Sequence, residues 1–483
     1  MFEKGEIVQI DCVDVTEDGK GIGRSDGMVI FADGLLPGDI ADVEITKVKK
    51  RYAFARVSSF VSKSKDRIAS ECPYSDFCGG CSFRELKYER QLSIKENRVR
   101  SKLARLGRAE ETAVSGIVPS PRISRYRNKA TFAVSEDGKV GFYKRGTKEV
   151  FDCEDCLIQS EEAMIVAATV RRFLSERAGR CPERNGAGPD VKSPGSKDFT
   201  AGIKRLTVKY SWKLGELMVV FYTANGKVKD IGKLVAEIDD ALFDFSEETD
   251  SDVILTGVCI VTEGRKPKCD VVAGRKTICD QLSFEHTGMP EKIRFEISPL
   301  AFYQVNREQM INIYEKAFEY AGLTGRELLL DVYCGIGTIG LSMAEHAGTV
   351  VGIEEMKPAV LDANRNAVIN GIVNAIFYEG KAEDVIEGLF EEGSDFRARY
   401  LNDDVPVIAL LDPPRAGCDE AVLRALDGED VEKIVYVSCD PATLARDVRI
   451  LKDLGYELEE ATPFDMFAWT MHVECVCLMS RKG

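Results

Sequence analysis

Hydrophobic and polar positions change rhythm twice along this chain. Up to about residue 60, short apolar or alternating runs (Glu6-Ile7-Val8-Gln9-Ile10, Met28-Val29-Ile30-Phe31, Ala41-Asp42-Val43-Glu44-Ile45) are separated by the turn pairs Asp18-Gly19, Asp26-Gly27 and Asp33-Gly34. That punctuation predicts a small closed β-barrel ending in a basic tip, Lys47 to Arg51. Residues 61 to about 292 are mixed α+β. Leu86 to Leu106 has helical spacing, Arg127 to Tyr143 reads as a hairpin turning at Glu136-Asp137-Gly138, and Leu206 to Tyr222 reads as two strands. Arg180 to Phe199 reads as an exposed loop and Glu247-Glu248-Thr249-Asp250 as a turn. From about 293 to 483 the apolar runs 328–331, 350–354, 375–378, 407–412 and 434–438 alternate with helical stretches, the signature of a doubly wound parallel sheet. Two late strands, 458–461 and 474–479, follow. The expected division is therefore 1–60, 61–292 and 293–483.

A chain of 483 residues is too long for one core. With 44% hydrophobic and 30% charged residues it reads as a globular protein. It has no apolar run of membrane-spanning length and no signal-peptide form at its start, so a cytoplasmic enzyme, expected to be monomeric, is the default. A net charge of −15 argues against non-specific coating of nucleic acid. A local basic face is still available: residues 84 to 108 carry nine Lys/Arg against three Glu, and Arg122, Arg125, Arg127 and Lys129 follow. A run of charge by itself reads as a solvated helix face.

The chemistry is concentrated at the ends of the parallel strands, where ligands sit in such sheets. Asp331-Val332-Tyr333-Cys334-Gly335-Ile336-Gly337 follows the first strand, and Glu354, 23 residues after Asp331, ends the second. A glycine turn plus an acidic residue suited to ribose hydroxyls, followed by Asp412-Pro413-Pro414-Arg415, points to an adenosine-bearing cofactor, most simply S-adenosylmethionine. Ser438-Cys439-Asp440-Pro441 places a thiol where a buried strand stops. An antiparallel last strand would bring Glu474, in His472-Val473-Glu474, to the same edge. A thiolate, a base and a methyl donor fit methylation of uracil carbon 5: Cys439 adds to carbon 6, and Glu474 takes the proton from carbon 5. The pyrimidine must first be unstacked. Cys334, Cys418, Cys475 and Cys477 read as inert buried thiols.

Together with Phe302-Tyr303-Gln304-Val305-Asn306, these motifs stand in the order in which the RNA (uracil-5-)-methyltransferase family carries them, and the chain resembles that family over nearly its whole length. The resemblance implies a Rossmann-like class I methyltransferase domain in which Gln304, Tyr333, Glu354 and Asp412 bind S-adenosylmethionine, with Cys439 as nucleophile and Glu474 as proton acceptor. The amino-terminal barrel resembles an OB-like TRAM domain, an RNA-binding module, which favours 23S ribosomal RNA over transfer RNA as substrate and gives residues 84 to 108 a role in RNA contact.

Cys72-x5-Cys78-x2-Cys81 is a compact ligand set that lacks a fourth member, which Cys153 or Cys156 could supply. The spacing leaves zinc and iron–sulfur both open. The resemblance implies a [4Fe-4S] cluster on Cys72, Cys78, Cys81 and Cys156. Two competing functions stand beside uracil methylation. Methylation of an exocyclic amine would need no cysteine, and an inactive methyltransferase-like RNA-binding protein would show no turnover.

Overall fold

The computed structural model describes residues 2–482 except 17, 178–199, 286–287, 402–404 and 430. The expected loop Arg180 to Phe199 lies outside the described residues. Near the amino terminus six strands form one sheet, in the order Ile7–Asp11, Ile40–Val48, Tyr52–Ser62, Met28–Asp33, Gly21–Ser25, Asp14–Val15. Alternate residues Ala41, Val43 and Ile45 are buried with Ile10 and Ile30. The sheet curls until the strand of Gly23 meets that of Ile10. A Cβ on Gly23 would stand 2.8 Å from the Asp11 carbonyl oxygen, so only glycine permits the approach.

The middle of the chain builds a seven-stranded sheet with helices Glu161–Arg177 and Ile231–Thr249 packed on one face. The turn expected at residues 247–250 comes later. The helix continues through Thr249 and ends at Asp250, whose φ of 52° is left-handed. Leu234, Ile238 and Leu242 are spaced to bury one face, and the Thr249 hydroxyl donates to the Phe245 carbonyl, which carries the acidic residues into the last turn.

The carboxyl-terminal sheet has strands β1 (Leu328–Val332), β2 (Thr349–Glu354), β3 (Ala375–Glu379), β4 (Val407–Leu411), β5 (Lys433–Ser438), β6 (Tyr456–Phe464) and β7 (Glu474–Arg481). Their order is β3-β2-β1-β4-β5-β7-β6. The first five are parallel, and β7 inserts antiparallel between β5 and β6. β1 and β4 are buried at every position, which is why they read as unbroken apolar runs.

The core packed on the carboxyl-terminal sheet is not formed by residues 293–483 alone. Helix Tyr88–Arg105 puts Val99 and Leu103 into the same core as β1, β4 and β5. Val114 and Val118 then bridge, in parallel, to Ala461 and Phe464 on β6. A hairpin of Ile278–Leu282 and Ile293–Ile297 likewise pairs across the expected division at 292. Two of the nine bases counted from 84 to 108 do not face solvent: Arg84 is 8% exposed and Lys95 0%. The basic surface on this segment is smaller than the sequence suggests. No helix among the described residues is long and apolar enough to cross a membrane.

Candidate active site

β1 leaves the sheet through a turn with three left-handed residues in five, Tyr333 (φ 66°), Gly335 (φ 57°) and Gly337 (φ 81°). Tyr333 has a side chain in that region, which costs about 1 kcal/mol or more and is characteristic of functional turns. One Asp331 carboxylate oxygen accepts from the Gly340 N–H at 3.0 Å, while the other is buried with no hydrogen-bond partner. A Cβ on Gly340 would stand 2.6 Å from that carboxylate, so the bare glycine lets the N–H reach it. At the end of β2, Glu354 accepts from the N–H groups of Gly335 (3.2 Å) and Met356 (2.8 Å), tying the second strand to the turn. Gln304 is buried just ahead of helix Arg307–Ala321, and its carbonyl accepts from Asn128 at 2.9 Å. Asp412 is the first residue after β4, and its N–H donates to the Val332 carbonyl.

Ser438 at the end of β5 pairs with Cys475 on β7, so one residue further on Cys439 comes opposite Glu474. The antiparallel last strand expected from the sequence produces this juxtaposition. Cys439 is held where it is because the chain turns at once: Asp440 caps helix Pro441–Asp453, its side chain accepting from the N–H groups of Ala442 (2.8 Å) and Thr443 (3.1 Å).

One cleft of about 900 Å³ is lined by Gln304, Tyr333, Glu354, Asp412, Cys439 and Glu474. All six residues assigned to catalysis and cofactor binding therefore meet in one place. Asp331, quoted in a motif but given no role, also lines it. Burial pushes Glu474 up to about 8, with the Asp412 charge adding to it. Burial likewise pushes Asp412 up to about 7 and Asp331 up to about 8. The Cys439 thiol is pushed up to about 12 by burial and by the charges of Glu474 and Asp412, against an opposing pull from Arg415. The cleft is acidic, partly enclosed and poised for a cation. The unpartnered Asp331 oxygen, the glycine turn and Glu354 fit a cationic adenosine cofactor.

Cys72, Cys78, Cys81, Cys153 and Cys156 line a second, smaller cavity of about 100 Å³ together with Arg84 and Arg127, whose buried Nε atoms have no partner. Arg145 reaches toward the carbonyls of Ser75, Cys78 and Cys81 at 3.3–3.5 Å. The Cys156 thiol is held down to about 6, first by a hydrogen bond from Cys153, then by the N–H groups of Ile158 and Gln159 and by Arg127. Cys153, paired with it, moves the opposite way, and its thiol donates to the Asp155 carbonyl at 3.5 Å. Among the described residues, no group of three or more His, Cys, Asp or Glu side chains is arranged to hold a metal ion. Cys334, Cys418, Cys475 and Cys477 are buried.

The sequence model of the family tRNA (Uracil-5-)-methyltransferase matches residues 238–482, and that of the TRAM domain residues 2–58. A protein of Caldanaerobacter subterraneus described as an uncharacterized RNA methyltransferase is 38% identical over 480 residues, covering 99% of this chain and 98% of its own. One from Bacillus cereus, described the same way, is 36% identical over 483 residues, covering 99% and 97%. The crystal structure of Pyrococcus abyssi tRNA (uracil-54, C5)-methyltransferase in complex with S-adenosyl-L-homocysteine superposes with a TM-score of 0.69 at 24% identity, over 98% of this chain and 100% of that one. It shares the fold. With an amino-terminal TRAM domain, a class I methyltransferase sheet and relatives of more than one-third identity along its whole length, this chain belongs to the tRNA (Uracil-5-)-methyltransferase family of RNA methyltransferases.

Proposed function

We propose that this chain methylates carbon 5 of a uridine in 23S ribosomal RNA, with S-adenosylmethionine as donor, through a covalent adduct on Cys439. The observation that carries the reading is the β5–β7 register, which sets Cys439 opposite Glu474 on the wall of the acidic cleft. S-adenosylmethionine, when bound, supplies the methyl group and one positive charge. Gln304, Tyr333, Glu354 and Asp412 would hold it. The Cys439 thiolate adds to carbon 6 of the uracil, and the electron pair shifts so that carbon 5 can take the methyl group. The Glu474 carboxylate then accepts the carbon 5 proton, and the carbon 6–sulfur bond breaks to return the thiolate. In this reading residues 1–60 bind RNA, 61–292 hold the cysteine cavity and 293–483 hold the cofactor.

The TRAM domain supports a ribosomal substrate. Transfer RNA is the second reading, favoured by the family's description and by the uracil-54 enzyme whose fold this chain shares. The test is 5-fluorouridine RNA, made as 23S and as transfer RNA. Carbon 5 then carries fluorine in place of the removable proton, so wild-type protein should be trapped as a denaturant-resistant adduct only when the donor is present. Cys439→Ala should not be trapped. Binding of the RNA without trapping would overturn the mechanism, and trapping on one RNA alone decides the substrate.

The same reading gives the second cavity a [4Fe-4S] cluster on Cys72, Cys78, Cys81 and Cys156. The donor chemistry fits: Cys156 is thiolate-prone, and the Nε atoms of Arg84 and Arg127 beside it are buried without a partner. Cys72, Cys78 and Cys81 would have to close on the cavity around the cluster. Brown protein with iron and labile sulfide in equal amounts supports it; colourless protein with one zinc overturns it.

A further inference from the structure

Nothing among the described residues hydrogen-bonds to the Glu474 carboxylate, whose surroundings are burial and the charge of Asp412. Its position depends on the backbone that delivers it. On one side that backbone is β7. On the other it is the segment 465–473, in which Asp465, Phe467, Ala468 and Trp469 are bound to parts of the chain more than 300 positions away and Met466 to Asn306, 160 positions away.

Asp465 is fully buried and pairs with the fully buried Lys95, while its other oxygen accepts from the Tyr88 hydroxyl at 2.6 Å. Lys95 also donates to the Phe467 carbonyl at 3.0 Å. The Met466 carbonyl accepts from Asn306 at 3.1 Å, and the Ala468 carbonyl from the Tyr126 hydroxyl at 3.1 Å. Trp469 is held most closely. Its N–H donates to Gln91 (3.1 Å), its indole N–H to the Ile123 carbonyl (2.6 Å), and its carbonyl accepts from the N–H groups of Ser82 (2.9 Å) and Phe83 (3.0 Å). The Arg84 guanidinium lies 4.7 Å from the centre of its ring. Trp469 keeps a left-handed φ of 69°, a conformation that persists in a bulky residue only when its surroundings over-determine it. A buried ion pair is a poor source of net stability, because desolvation offsets the attraction. What this network does supply is a fixed geometry.

We propose that residues 465–473 form a strap whose anchors, above all Lys95 and Trp469, set where the Glu474 carboxylate stands, making Lys95 and Trp469 positioning residues for proton removal at carbon 5. The inference rests on the reading of Glu474 as the base. It also assigns a second role to the segment after Cys81: Ser82, Phe83 and Arg84 join the rim of the cysteine cavity to the strap.

The base acts only after the methyl group has been transferred, so the test separates the two halves of a turnover. Adduct formation and adduct decay are timed on transcribed 23S ribosomal RNA with S-adenosylmethionine, for wild type, Lys95→Met, Trp469→Phe and, as the reference for a lost base, Glu474→Gln. Lys95→Met should form adduct within about twofold of the wild-type rate yet release it roughly tenfold to a hundredfold more slowly, so that adduct accumulates as in Glu474→Gln. Trp469→Phe keeps a ring beneath Arg84 and loses one hydrogen bond, and its release should slow about threefold to tenfold. Formation and decay falling together would mean general loosening and would overturn the strap, as would release at the wild-type rate. If Lys95→Met does not fold, Trp469→Phe decides. Wild-type failure to trap on 5-fluorouridine RNA condemns the reading of the base, whereas wild-type trapping with unslowed variants condemns the strap alone.

Discussion

Two cavities in this protein are built around cysteine, and their electrostatics are opposite. Cys439 sits with Glu474 and Asp412, and burial and negative charge push its thiol up to about 12. Cys156 sits under a Cys153 donor, two backbone N–H groups and Arg127, and is held down to about 6. The surroundings of the first thiol hold it protonated; those of the second favour the thiolate. Residue type alone does not distinguish them. The charges facing each sulfur do.

The largest effect should come from Cys439→Ala, which removes the proposed nucleophile. Methylation should fall at least about a thousandfold while any visible spectrum of the proposed cluster is unchanged. Cys156→Ser should do the reverse, erasing the spectrum of the proposed [4Fe-4S] cluster while leaving Cys439 in place. In metal-free protein, iodoacetamide at neutral pH should label Cys156 about a hundredfold faster than Cys439, the gap in thiolate fraction being partly offset by the weaker nucleophilicity of a low-pKa thiolate. Peptide mapping reads both sites, and equal labelling would erase the contrast.

Glu474 gives a test with a definite sign. Its folded carboxyl, raised to about 8 from 4.5, makes the native state hold a proton that the unfolded chain releases, so its contribution to stability is complete below 4.5 and lost as pH rises through 8. Glu474→Gln should accordingly be more stable than wild type at pH 9, by about 5 kcal/mol in denaturant melts, with the difference vanishing below pH 4.5. Because only the charged form accepts a proton, adduct release should rise with pH and level off above about 8. The smallest effect is expected from Asp440→Ala, which leaves two helix N–H groups uncapped beside Cys439 and should cost about 1 kcal/mol.

The sequence made the parallel sheet legible because its strands are buried on both faces and read as apolar runs. The glycine turn, Asp412 and Cys439 were legible because each stands where such a run stops. Glu474 was reached through the expected direction of a single strand, while Gln304 came only by resemblance, since it precedes the first parallel strand. Lys95 was misread. Within its helix it is one more base in a basic run, and the partner that buries it, Asp465, lies 370 residues away. Periodicity says which face of a helix is apolar; it does not say what that face will meet. For the same reason the docking of helix Tyr88–Arg105 on the carboxyl-terminal core could not be read from its spacing.

The bridges from Val114 and Val118 to β6 bear on how the molecule is made. Residues synthesised in the first quarter of the chain cover a strand that emerges from the ribosome near the end, so the segment 114–118 waits without its partner through most of translation. Contacts over such separations form late, and an uncovered edge invites pairing with other chains. A fragment beginning at residue 293 would carry the whole of β1 to β7 yet leave β6 bare, and should associate through it where the full chain does not.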